Sequence, residues 1–215
     1  MQGTHSNIYI GMVCILYRGF MAVHNQSGLE DDVGEITEYV RQKQKLFDVI
    51  TDRSREIIRL AAQSITYTHN NRLDDAAKAI AAAHKLVGSK EFKDERFGYY
   101  TTQAQQEYAE AMIFFNIKSE GRIPNLKDVG VSREAYLLGL MDCVGELKRE
   151  VLEELRDSNV KKAEEYFGMM RHIYDTTRPV RFAEAVLQGF RKKQDVARIQ
   201  IENAGTEILS SGKRN

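Results

Sequence analysis

Two pairs of acidic residues have a spacing that brings carboxylates together on one side of a helix. Glu107 and Glu110 stand three positions apart, and Asp142 and Glu146 stand four positions apart. In an α-helix, residues three or four apart are neighbours on one face. If the two faces meet, four carboxylates converge, and they cannot all stay ionised without a cation. Oxygen ligands on rigid helices suit Mg²⁺ or Mn²⁺, which would support hydrolysis of a phosphodiester bond.

Other interpretations of these reactive residues stay open or are disfavoured. Each acidic pair could also be an ordinary solvated helix face. A di-iron bundle needs a glutamate three residues before a histidine on two helices, and none of the five histidines has one. Cys143 lies beside Asp142 without a suitably spaced histidine, which favours a packing residue over a nucleophile.

Basic residues cluster in two segments. Residues 41–59 hold six basic and three acidic side chains, and residues 178–198 hold six basic and two acidic side chains. Either segment could follow a phosphate backbone, or be an ordinary solvated face. Near Arg96, the aromatic residues Phe97, Tyr99 and Tyr100 could stack on nucleic-acid bases or lie in the core.

The elements that would position these residues are helices. Apolar residues recur at steps of three, four or seven, the helical period, and only two prolines interrupt the chain. Ser132 is typical of a helix N-cap, and the helix after it carries a heptad-like apolar stripe that indicates packing of one narrow face. The pattern predicts an all-α fold, a bundle of about seven helices over residues 31–69, 73–87, 90–119, 132–157, 160–175, 182–189 and 192–209.

Composition limits the class of protein. The 215 residues carry 31 basic and 31 acidic side chains, and 42% of residues are hydrophobic, which is typical of a globular protein and argues against a generic cationic coat protein for nucleic acid. Two cysteines exclude a zinc cluster or a disulfide framework and favour a cytoplasmic location. No apolar run reaches the roughly 18 residues of a membrane span.

The chain is predicted to hold one domain. Residues 30–210 form a single helical domain in this interpretation, and residues 211–215 form a tail. Residues 1–29 are predicted to be a flexible N-terminal extension, with Met21 as an alternative true start. No positive charge precedes Arg18, which argues against a signal peptide.

The segment Tyr136–Arg149 resembles the signature of the Translin/TRAX family. It reads YLLG-x-x-D-x-x-GEL-x-R, and Tyr174-Asp175 and residues 191–203 also fit the C-terminal helices of that family. The resemblance covers roughly residues 31–210. It implies a seven-helix all-α bundle that assembles into a closed octameric shell with nucleic acid inside. In this family, TRAX-type subunits are Mg²⁺-dependent endoribonucleases, whereas Translin-type subunits bind RNA and lack most of the acidic site.

The resemblance extends to the residues that separate the two types. The catalytic acids of TRAX-type chains lie in a QEY-x-EA motif and in the D-x-x-GE part of the signature, and all four are present here as Glu107, Glu110, Asp142 and Glu146. Arg96-Phe97 is similar to the family's [RK]-F-H segment, whose basic residue contacts RNA, although Gly98 and Tyr100 stand where Translin has histidines.

These observations together give the expected function. We expect a TRAX-like endoribonuclease that uses Mg²⁺ or Mn²⁺ held by the four acids, acts on single-stranded or duplex RNA, and forms a homo-oligomer, an octamer by resemblance. The alternative is a non-catalytic Translin-like shell that binds single-stranded RNA or DNA. The nucleic-acid-binding residues are expected to be Arg96, Lys43, Lys45, Arg53, Arg55 and Arg59.

Overall fold

The computed structural model describes the backbone of residues 6–212 and the side chains of residues 28–94 and 96–211. This part of the chain contains seven α-helices and no β-strand. The helices are α1 (Ser6–His69), α2 (Leu73–Val87), α3 (Gly98–Glu120), α4 (Leu126–Val129), α5 (Arg133–Arg156), α6 (Val160–Thr177) and α7 (Phe190–Gly212). The prediction of an all-α fold is confirmed. No described helix has the length and apolar content needed to cross a membrane.

The described residues divide into two compact units, one within residues 1–48 and one within residues 49–215. In the first unit, α1 exposes apolar side chains at helical spacing, including Leu29, Val33, Ile36 and Val40. The second unit contains the hydrophobic core and all the other helices. The predicted boundary of an extension over residues 1–29 remains a prediction.

Helix α5 is the centre of the second unit. It packs against α3, α6 and α7, and Leu140, Met141, Val144, Leu147 and Val151 of the predicted stripe are buried. The expectation that one narrow face would pack was wrong, because Leu138, Gly139, Cys143 and Glu150 on other sides of the helix are buried as well. As predicted, Ser132 caps α5: its hydroxyl oxygen accepts a hydrogen bond from the Ala135 amide at 3.2 Å.

Three of the predicted helices were wrong, two of them in where they begin and one altogether. Helix α1 begins at Ser6 instead of near Asp31. Helix α3 begins at Gly98 instead of Lys90, because the Asp94 carboxylate accepts a hydrogen bond from the Arg96 amide and a short 3₁₀ turn, Glu95–Phe97, follows. The predicted sixth helix over residues 182–189 is a series of turns that ends at Gly189, whose φ of 77° few other residues adopt.

The helix count is nevertheless seven because of a short helix that was not predicted. Helix α4 begins with a capping box, in which the Asn125 side chain accepts hydrogen bonds from the amides of Lys127 and Asp128, and the Asp128 carboxylate accepts one from the Asn125 amide. Gly130 then ends the helix in the left-handed conformation.

Candidate metal and nucleic-acid site

The two predicted acidic pairs line one cavity between α3, α5 and α7. Glu107 and Glu110 project from α3, and Asp142 and Glu146 project from α5. The cavity has a volume of about 580 Å³ and is called the acid cavity below. Its other lining residues are Gln106, Met141, Gly145, Gly189, Lys192, Lys193, Val196 and Gln200. The first requirement of the predicted site, that the two acidic faces meet, is therefore satisfied.

A glycine of the sequence signature allows α3 and α5 to come this close. A Cβ built on Gly139 would lie 2.7 Å from the Ala109 Cβ and 2.9 Å from the Glu110 backbone nitrogen. Real side chains do not approach so closely, so any larger residue at position 139 would push the two helices apart. The small residues Gly139 and Ala109 thus set the distance between the two acidic pairs.

The side chains of the two α3 acids have no hydrogen-bond or ion-pair partner among the described residues. Glu110 is only 8% exposed, and neither Glu107 nor Glu110 makes a hydrogen bond or ion pair with any residue that the structure describes. Burial, followed by the charges of Asp142, Glu107 and Glu146, raises the pKa of Glu110 to about 9, against a smaller opposing effect of Lys193. Burial and the charge of Asp142 also raise the pKa of Glu107.

Asp142 is held by two side chains from neighbouring helices. The ammonium of Lys193 in α7 lies 2.5 Å from its Oδ1. The side-chain amide of Gln106 in α3 donates a hydrogen bond to its Oδ2 at 2.6 Å. The Asp142 carboxylate therefore faces the cavity together with both of its partners, the charged Lys193 and the neutral Gln106.

Glu146 is held from behind by a chain of buried charged residues. The Nε2 of His69 at the end of α1 lies 2.5 Å from Glu146 Oε2, and its Nδ1 lies 2.6 Å from Glu150 Oε1. The Lys118 ammonium lies 2.5 Å from the other oxygen of Glu150, and the His69 ring packs against Phe114. We call Lys118, Glu150 and His69 the buried charge chain.

The pKa shifts within this chain are those expected of paired charges. Burial lowers the pKa of His69, but the hydrogen bonds with Glu146 and Glu150 outweigh it, so the pKa is raised. Burial would raise the pKa of Glu150, but the hydrogen bonds from His69 and Lys118 outweigh it, so the pKa is lowered. Both shifts favour the charged forms.

The chemistry of the acid cavity fits a hard divalent cation. All four acids offer oxygen donors, which Mg²⁺ and Mn²⁺ prefer, and the two on α3 lack a compensating positive charge of their own. As they are placed in the described part of the chain, no three His, Cys, Asp or Glu side chains form a group that could hold a metal ion. Glu107, Glu110, Asp142 and Glu146 would hold such a cation if their carboxylates came closer together, and the cation would compete with Lys193 for Asp142.

The predicted nucleic-acid contacts are spread over the molecule, and none of the six lines the acid cavity. Lys43 and Lys45 are exposed in the first unit. In the second unit, Arg53 contacts Ser89 and Glu91 at 2.7 and 2.6 Å, which ties α1 to the connection after α2. The remaining three also meet acids: Arg55 pairs with Asp52, Arg59 with Glu56, and Arg96 with Asp94. Their role in binding remains a prediction.

An aromatic groove of about 690 Å³ adjoins the acid cavity. Tyr99 and Tyr100 line it, are exposed, and meet edge to face at 5.5 Å between ring centroids. Gln106, Gly189 and Lys193 line both the groove and the acid cavity. Phe97, by contrast, is buried in the core, so the base-stacking interpretation applies only to the two tyrosines.

Sequence reasoning missed the residues that surround the acids. Lys192 and Lys193 belong to the second basic segment, which was recognised by its charge but not connected to the acidic pairs. His69 carried no recognisable signal, because its partners Glu146 and Glu150 lie 77 and 81 residues away. The i, i+4 spacing of those two glutamates was the only sequence feature that could have suggested a shared partner.

The residues of this site lie within a segment of the chain that matches a known protein family. Residues 29–205 match the model of the Translin family. The chain belongs to the Translin family. This confirms the family to which the signature in α5 pointed.

Individual known proteins also resemble the chain over most of its length. An uncharacterized protein of Methanocaldococcus jannaschii is 31% identical over 185 residues, which cover 84% of this chain and 82% of the relative. The structure of AfC3PO in complex with duplex RNA is 26% identical, with a TM-score of 0.78 over 85% of this chain and 97% of that chain. AfC3PO alone gives a TM-score of 0.71 at 27% identity, covering 87% and 98% of the two chains.

Proposed function

We propose that this Translin-family protein is a TRAX-type, metal-dependent endoribonuclease. The observation that carries the proposal is the convergence of Glu107, Glu110, Asp142 and Glu146 on one cavity, with Glu110 buried and uncompensated. A structural protein would have no reason to keep a buried carboxylate whose charge costs stability. A divalent cation would remove that cost, and it would act as a Lewis acid in the cavity.

The four acids would hold Mg²⁺ or Mn²⁺, which supplies the activation of water and the neutralisation of charge at a phosphate. Glu110 and Glu107 would give the cation carboxylates that form no ion pair with any described residue. The buried charge chain fixes Glu146 through His69, so that carboxylate stays oriented without help from a ligand. One carboxylate of the four would also accept the proton of the attacking water, and the products would carry 5′-phosphate and 3′-hydroxyl ends.

The substrate is proposed to be RNA, either single-stranded or duplex, held within an oligomer of this chain. The resemblance to AfC3PO in complex with duplex RNA supports this, as does the groove of exposed tyrosines that adjoins the acid cavity. By the family resemblance, the oligomer would be an octameric shell, working in the cytoplasm.

A second candidate is a Translin-like shell that binds RNA or single-stranded DNA without cleaving it. The observation that favours it is that Asp142 and Glu146 already have partners in Lys193 and His69. In that case, no cation would be needed to keep these two acids ionised.

A cleavage assay on labelled single-stranded RNA separates the two candidates. Wild-type protein is compared with Glu110→Gln in Mg²⁺ and in EDTA, and RNA binding is measured in parallel. The matched control is Glu120→Gln, which makes the same substitution in α3 at a surface residue paired with Arg122, outside the cavity. We expect Mg²⁺-dependent cleavage that is lost in Glu110→Gln and retained in Glu120→Gln, with RNA binding preserved in both.

Two outcomes would contradict the nuclease. Full activity in Glu110→Gln would remove the acid cavity from the reaction. Tight RNA binding without cleavage by the wild-type protein, in Mg²⁺ and in Mn²⁺, would favour the binding shell.

A further inference from the structure

Lys193 belongs neither to the family signature in α5 nor to the four acids, yet it lines the same cavity. It is the fourth residue of α7, and its ammonium lies 2.5 Å from Asp142 Oδ1. A cation bound by that oxygen would repel the ammonium that now lies against it. The ion pair and the proposed metal site therefore compete for this atom.

The surroundings of Lys193 show where its charge would go once it leaves Asp142. The side chain lines the acid cavity and also the aromatic groove with Tyr99 and Tyr100. It is 31% exposed, and lysine carries its compact charge on a flexible four-carbon stem. Small rotations of that stem would keep the ammonium at the junction of the two cavities.

The charge balance of the cavity favours a phosphate as the new partner. Four acidic side chains face two lysines, Lys192 and Lys193, so the cavity with all four acids ionised has an excess of negative charge and repels anions. One divalent cation would cancel the excess of negative charge and leave Lys193 without a carboxylate. A phosphodiester that enters along the groove then meets an unpaired ammonium beside the metal-binding acids.

We propose that Lys193 binds the phosphate that is hydrolysed, and that it leaves Asp142 when the divalent cation binds. In this account Lys193 is a catalytic residue that stabilises charge developing on the phosphate oxygens. Without the cation, it stabilises Asp142. This inference rests on the proposed function, because it assigns a role in the same hydrolysis.

Lys193→Met should have opposite effects on two measurements. Affinity for Mn²⁺, measured without RNA by electron paramagnetic resonance, should rise about fivefold, because the competing ion pair is gone. The single-turnover rate constant for RNA cleavage at saturating Mg²⁺ should fall about a hundredfold, the usual loss of one charge-stabilising donor. A merely structural role would weaken both.

Two further variants complete the experiment. Lys193→Arg keeps the charge and should recover part of the cleavage rate. Lys162→Met removes a lysine that is also paired with an acid, Glu165 at 2.8 Å, but on α6 outside the cavity. It should change neither measurement.

The outcomes distinguish this inference from the proposed function. A wild-type protein that does not cleave RNA overturns both. If the wild type cleaves and Lys193→Met cleaves within about twofold of it, the role at the phosphate is overturned and the nuclease stands. Equal Mn²⁺ affinity in the wild type and in Lys193→Met overturns the exchange at Asp142.

Discussion

Glu110 and Glu150 are two glutamates of the core region that are buried almost equally, at 8% and 3% exposure, yet their pKa values shift in opposite directions. Glu150 lies between His69 and Lys118, whose hydrogen bonds overcome its burial and lower its pKa. Glu110 faces three other carboxylates and no hydrogen-bonding partner among the described residues, so its pKa rises to about 9.

The difference separates a structural acid from a ligand-binding acid. A buried charge is tolerated when the protein supplies its counter-charges, as the buried charge chain does for Glu150. A buried acid without counter-charges stores a cost that only a bound cation or a proton relieves. Glu110 is of the second kind, which is why the acid cavity, and not the chain behind it, is the proposed site of chemistry.

The largest expected effect on stability comes from removing Glu150, the buried acid that is paired with basic side chains. Glu150→Ala would leave the Lys118 ammonium and the His69 ring buried without their shared partner. We expect the free energy of unfolding to fall by about 3–5 kcal/mol, measured by urea denaturation. A loss below about 1 kcal/mol would mean that the chain behaves like a surface ion pair and that the comparison with Glu110 fails.

A smaller effect is expected where the helices carrying the acids touch. Gly139→Ala would place a methyl group 2.7 Å from the Ala109 Cβ and 2.9 Å from the backbone of Glu110. Overpacking of this kind should cost up to about 3 kcal/mol in urea denaturation, and should weaken Mg²⁺-dependent cleavage.

The matched control is Gly168→Ala in α6, where an added Cβ meets nothing within 4 Å. It should stabilise the protein by about 0.5–1 kcal/mol, because alanine is the better helix former. Equal effects of the two substitutions would show that the approach of α3 to α5 is not tight at Gly139.

Glu110, the uncompensated acid, should affect the stability of the protein in the opposite way to Glu150. Because its pKa is raised in the folded state, folding binds a proton, and stability falls as the pH rises from about 4.5 towards about 9. Glu110→Gln imitates the neutral acid and lacks this loss. In EDTA at neutral pH, the variant should be more stable than the wild type by up to about 3 kcal/mol.

The pH dependence provides the check on this prediction. The stability difference between Glu110→Gln and the wild type should widen as the pH rises through the window between the two pKa values. A difference that stays constant or shrinks with rising pH would show that Glu110 is ionised and compensated in the folded protein.

The sequence predicted the helices and the acidic faces because both depend on local spacing. The apolar stripe of α5, the Ser132 cap and the two acidic pairs are all read within a few turns of helix. The turns within residues 182–189 were mistaken for a helix, because their composition does not show that the Glu184 carboxylate accepts a hydrogen bond from the Gly189 amide at 2.6 Å.

The partners of the acids could not be predicted in the same way. Lys193 reaches Asp142 from 51 residues away, and His69 reaches Glu146 from 77 residues away. Such contacts depend on how α1, α5 and α7 are arranged in space, which periodicity within each helix does not determine. The sequence predicted that the four acids converge, because each pair lies on one face of a helix. Only the structure shows that Asp142 and Glu146 are paired with basic side chains.

The most direct test of the acid cavity as a cation site is the melting temperature of the wild type and Glu110→Gln, each in EDTA and in excess Mg²⁺. We expect Glu110→Gln to melt at a higher temperature than the wild type in EDTA, and Mg²⁺ to raise the melting temperature of the wild type much more than that of the variant. Equal Mg²⁺ shifts in the two proteins would contradict a cation site built on Glu110.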